Sequence, residues 1–82
     1  MTKYRHVGGF QLMRTSRHWI LTVNDEPIRF ERKRLAIIGG AAAKQQDLKV
    51  KLTEKTEIRF RSGCGIHRSR QTYEIDITNQ IP

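Results

Sequence analysis

The 82-residue chain has one cysteine, six aromatic residues and half as many acidic as basic side chains, and it lacks any long apolar run. The lone Cys64 excludes an internal disulfide, the staple on which small secreted domains depend, so a reducing cytosol is the expected setting. No stretch approaches the roughly 18 consecutive apolar residues of a membrane-spanning helix. The opening segment MTKYRHVGGF has basic residues with no apolar run behind them, so it does not read as a signal peptide. A cytoplasmic protein with no membrane partner is the expectation. Neither an internal repeat nor a low-complexity linker interrupts the chain. It reads as one domain over residues 9–77, with a basic arm at 1–8 and a loose tail at 78–82. A domain of this size buries only about 60% of its unfolded surface, which leaves little for a deep substrate pocket. Pairing into a homodimer, or docking on a larger partner, would add stability, and exposed sheet edges offer one route to it.

The residues that catalysis or metal binding would need are also scarce. Cys64 and His67 have the spacing of one arm of a zinc site, but tetrahedral zinc takes four ligands. Only His6, His18 and carboxylates remain to complete such a set, so no metal is expected. A Cys64–His67 nucleophilic dyad would need an oxyanion site and a closed cleft, which an exposed hairpin tip does not provide. The run IIGGAAAK has neither the Walker spacing nor the dinucleotide-binding glycine fingerprint, so no cofactor is expected. A small ribonuclease toxin could draw a base and an acid from His6, His18, His67 and Glu57, with arginines stabilising the phosphorane. No motif selects three of these residues as a set, so a non-enzymatic role ranks first.

What the sequence does have is positive charge. Sixteen basic residues face eight acidic ones, for a net charge of +8 and a pI near 10.4. Arginine outnumbers lysine ten to six. Arginine binds phosphate in a bidentate fork and stacks on bases, whereas lysine is closer to a point charge. Such a balance points to nucleic acid, DNA or RNA, or to an acidic protein surface.

Periodicity predicts an α+β domain: an antiparallel sheet of five to six strands with one helix packed on one face, in the order β-β-β-α-β-β-β. The strands are expected at GFQLMR (9–14), WILTV (19–23), IRFER (28–32), DLKVKL (47–52), EIRFR (57–61) and TYEIDI (72–77). TSRH (15–18), NDEP (24–27) and GCG (63–65) read as turns and TEKT (53–56) as a polar connection. A helix is expected over 32–46, with Leu35, Ile38 and Ala42 facing the sheet. Gly39 and Gly40 either let that helix lie very close to the sheet or break it. The few aromatics, Phe10, Trp19, Phe30 and Phe60, sit on alternating strands and read as core. Tyr4 lies in the basic arm, which could order on nucleic acid.

Alternation also sorts the charges. With Val50, Leu52, Ile58, Phe60, Tyr73, Ile75 and Ile77 facing the helix, Arg29, Lys49, Lys51, Arg59, Arg61, Arg68 and Arg70 face away from it. Glu31, Glu57, Glu74 and Asp76 share that open face, and cross-strand ion pairs explain part of the pattern. In a hairpin turning at residues 63–66, four arginines gather at the tip, with the acids toward the base. A second cluster, Arg32, Lys33 and Arg34, marks the start of the helix, where outward N–H groups favour an anion. The function these features support is phosphate binding through the open sheet face and the 59–70 hairpin, as in a phage or mobile-element regulator. The alternative is an inhibitor or adaptor that docks on an acidic surface of a larger nucleic-acid-processing complex.

Overall fold

Alternating strands run further along this chain than its polar stretches imply. The computed structural model describes residues 4–7, 11–62 and 68–82, which form five strands, one α-helix and a short 3-10 turn. The strands are β1 (Tyr4–Val7), β2 (Gln11–Val23), β3 (Glu26–Phe30), β4 (Val50–Ser62) and β5 (Arg68–Asp76), and the helix α1 (Lys33–Gln45) follows β3. They form a single sheet in the order β1-β2-β4-β5, with β3 also paired to β2. The α+β class and the antiparallel sheet with one helix are as expected, but the element order is β-β-β-α-β-β.

Three differences account for the changed order. TSRH is the middle of β2, and TEKT is the middle of β4, each a continuous strand of 13 residues. Neither stretch contains the Gly, Pro, Asn or Asp that a reversal demands, and threonine is itself a good strand residue. Residues 4–7, assigned to a basic arm, pair with Gln11–Arg14 as β1. The turn expected at residues 63–65, and with it Cys64 and His67, lies outside the described residues, as does Phe10.

The chain divides into two compact units, Met1–Ser16 with Thr56–Tyr73, and Arg17–Lys55 with Glu74–Pro82. The second unit holds every buried hydrophobic residue among those described: Leu21, Ala36, Ala43, Leu52, Ile77 and Ile81. Its β2–β3 hairpin turns on Asn24 and Asp25, whose φ angles of 48° and 68° match a two-residue turn with the twist of the flanking strands. Asn24 and Lys49 then bridge to the next strand. The Asn24 N–H donates to the Lys49 carbonyl at 2.9 Å, and the Lys49 N–H donates to Asn24 Oδ1 at 3.1 Å.

The helix is continuous through both glycines. A Cβ on Gly39 would lie 3.3 Å from both Leu21 and Phe30, so close approach to the sheet is what the glycine permits. That closeness selects small residues for the buried face. Ala36, Gly40 and Ala43 are buried, and Ile37 and Ala41 pack beside them. Leu35 and Ile38, expected inward, are 51% and 55% exposed, and Ala42 is exposed too. Asp47, expected to open a strand, instead closes the helix at φ 59°. The Leu48 N–H donates to the Ala43 carbonyl and the Asp47 N–H to the Lys44 carbonyl, the paired bonds of a Schellman cap.

The tail is not loose. Thr78–Gln80 form a 3-10 turn, and Ile81 is buried. The Leu52 N–H donates to Thr78 Oγ1 at 2.9 Å, so the C-terminus supplies a hydrogen-bond acceptor at the end of β4. Burial fades along β5, however. Ile77 is buried, whereas Tyr73 and Ile75, also expected inward, are exposed. An edge strand has a neighbour on one side only, which leaves its side chains less covered.

Candidate nucleic-acid interface

The ten basic residues singled out by alternation fall into the two units, and their surroundings differ. The first unit holds Arg59, Arg61, Arg68 and Arg70, all on the long strands β4 and β5. The second holds Arg29, Arg32, Lys33, Arg34, Lys49 and Lys51.

In the first unit, Glu57 organises the arginines. Its carboxylate accepts from Arg59 Nε at 2.5 Å and pairs with Arg70 across the strands at 3.7 Å. These pairs place Glu57, Arg59 and Arg70 on one face, and alternation along β4 adds Arg61 to it. Arg59, Arg61 and Arg70 are exposed, while the Glu57 side chain is only 23% exposed. Glu57 was expected on this face but toward the hairpin base, and its contact with the arginines was not expected. The two-residue step from Glu57 to Arg59 was the signal for it, because residues i and i+2 of a strand share a face. Arg61 makes no ion pair among the described residues. Tyr73 lies further along β5, where its hydroxyl donates to Gln71 Oε1 at 2.7 Å.

The charge of this unit is strongly one-sided. Lys3, Arg5, Arg14, Arg59, Arg61, Arg68 and Arg70 face a single acid, Glu57, so six of the chain's eight net positive charges fall on fewer than half its residues.

The second unit is close to balanced, with nine basic and seven acidic residues. Several of its cations stand beside carboxylates. Arg29 Nε donates to Glu31 at 2.6 Å. That hydrogen bond, helped by the charges of Arg29 and His18, holds the Glu31 carboxyl below its ordinary pKa. Lys49 stands 3.8 Å from Asp25, and both side chains are largely in solvent. Lys51 adds to the field that lowers the pKa of Asp76, after the larger effect of hydrogen bonds from Thr78. Lys55, not singled out beforehand, pairs with Glu74 at 3.2 Å.

Arg32, Lys33 and Arg34 remain unpaired among the described residues. Arg32 is the N-cap, in extended conformation and without a side-chain cap, and the first turn of α1 contains no acid. The helix therefore begins with cations where its dipole disfavours them.

The described residues contain no group of three or more His, Cys, Asp and Glu that could hold a metal ion. Among them, no helix is long and apolar enough to cross a membrane. Compared with protein-family models, with curated proteins and with solved structures, the chain matches none.

Proposed function

We propose that this chain is a nucleic-acid-binding protein whose first unit grips phosphates with Arg59, Arg61, Arg68 and Arg70. The observation that carries this reading is the separation of charge: seven basic residues and one acid in the first unit, against near-balance in the second. A fold gains nothing from concentrating like charges, which repel across neighbouring strands. A polyanion that releases its counterions on contact turns the same concentration into affinity. Glu57 fits the reading as an orienting group, since one carboxylate cannot neutralise four guanidinium groups. In the second unit, Arg29, Lys49 and Lys51 already lie near carboxylates and contribute less.

The test is a binding titration on labelled DNA and RNA at several salt concentrations. Four arginines each meeting a phosphate on a duplex give a log–log slope of about −3 to −4. Changing Arg59, Arg61, Arg68 and Arg70 together to alanine should abolish binding while the circular dichroism spectrum is retained. Unchanged binding by that variant would remove the proposal.

A further inference from the structure

Among the described residues, strand β5 is an edge of the sheet, and it lacks the shortness, proline and lysine that often protect an edge. In the order β1-β2-β4-β5, its only strand neighbour among the described residues is β4. It runs nine residues, Arg68–Asp76, with no proline, glycine or lysine. Residues 69–76 are exposed without interruption. The other edge strands are shorter: β1 has four residues, and β3 has five including Pro27. Short edges and edge prolines block pairing with another chain, and a long, unblocked edge invites it.

The sequence of β5 says which chain fits. Read along the strand, RSRQTYEID places Arg68 and Arg70 before its midpoint, Thr72, and Glu74 and Asp76 after it at the same distances. A second copy laid antiparallel about Thr72 sets Arg70 opposite Glu74 of that copy, and Arg68 opposite its Asp76. The twofold axis repeats both pairings. Sliding the copies by one residue moves each charge to the opposite face. Centring on Arg70 or on Glu74 instead brings like charges together, and centring on Gln71 or Tyr73 loses half of the complementary pairs.

Backbone geometry is compatible with the same register. The Ile77 N–H, one residue past the end of β5, donates to the Leu52 carbonyl at 2.9 Å and so points toward β4. Along a continuous strand these directions alternate, which turns the N–H and C=O groups of Arg70, Thr72 and Glu74 outward. Those are the residues that the charge-matched register pairs, so they can exchange both backbone hydrogen bonds across the axis. Tyr73 and Ile75, 49% and 55% exposed, lie on the other face of the same edge and would gain cover from the second copy.

We propose that the protein forms a symmetric dimer through β5, joining two sheets edge to edge about Thr72. This does not depend on nucleic-acid binding. The experiment is sedimentation equilibrium on the full chain, from micromolar to millimolar concentration, with charge variants. The wild-type chain should approach twice its 9.6 kDa mass. R70E and E74R should each sediment as monomers, because each sets like charges against one another. Mixed in equal amounts they should form a heterodimer. One variant then carries carboxylates at both positions, and these face guanidinium groups at both positions of the other. Amide exchange in the wild type should slow with concentration at Arg70, Thr72 and Glu74. A wild type that stays monomeric at millimolar concentration would overturn the proposal. So would single variants that dimerise as well as the wild type, or a mixture of the two that stays monomeric.

Discussion

A Cβ placed on Gly40 would lie 2.6 Å from Ile81 Cδ1 and 3.1 Å from Ile81 Cγ1, so the middle of the helix and the end of the chain are fitted to one another. The contact explains a glycine inside a helix and a buried isoleucine one residue from the C-terminus. G40A sets two effects against each other. Alanine favours the helix by roughly 1 kcal/mol, and overpacking costs roughly 1–3 kcal/mol. Ile81 is packed with Leu21, Ala36, Leu52 and Ile77 and has little room to move. A net loss of about 1 kcal/mol is expected in urea denaturation. In an I81A background the clash is gone, and the same substitution should turn stabilising. Additive effects in the two backgrounds would show that the contact does not determine the glycine.

The exposed apolar stripe of α1 leads to the second prediction. I38K should change stability by no more than about 0.5 kcal/mol, as for surface positions generally. A36L should cost about 1–3 kcal/mol, because Ala36 is fully buried and the added atoms have nowhere to go. Thermal denaturation of the two variants separates these outcomes.

These substitutions also mark where the sequence was legible. Period-2 alternation located parts of β2, β3, β4 and β5 and sorted several of their residues by face, from the inward Leu52 to the ion pair that joins Glu57 and Arg70. Asn24 and Asp25 announced the reversal between β2 and β3. Two kinds of signal misled. Polarity at TSRH and TEKT resembles a turn, yet a strand exposed on one face is polar at alternate positions, and only conformationally permissive residues demand reversal. Bulk on the helix misled in a different way. Leu35 and Ile38 would face inward at ordinary spacing, but the glycine pair brings the backbone so near the sheet that only small side chains fit between. Asp47 carried no sequence signal as a helix stop, because glycine more commonly takes that left-handed position.

Removing the acid among the arginines is the third prediction. In E57Q, Arg59 and Arg70 lose their shared carboxylate, and the first unit keeps no acidic side chain. Nucleic-acid affinity should rise, and the salt slope should steepen by about one. Fluorescence anisotropy at several salt concentrations measures both quantities. Weaker binding by E57Q would mean that Glu57 matters more for orienting the guanidinium groups than for opposing the phosphates.

Asp76 gives a prediction in pH. Its carboxylate accepts from the Thr78 hydroxyl at 2.5 Å and the Thr78 N–H at 2.9 Å, and these bonds, with a smaller effect from Lys51, hold its pKa below the ordinary value. A carboxyl whose pKa is lower folded than unfolded stabilises the fold when both states are ionised. That stabilisation is complete above the unfolded value, about 3.9, and is lost as pH falls through the lower, folded value. Below both values the contribution is gone. D76N should therefore be less stable than the wild type at neutral pH and should converge with it in strong acid. Thr78 also accepts from the Leu52 N–H, so the loss reaches the junction between β4 and the C-terminal turn. Urea midpoints measured from pH 7 down to about pH 2 would show the gap closing. A constant gap would mean that the Thr78 hydrogen bonds do not distinguish the charged carboxylate from the neutral one.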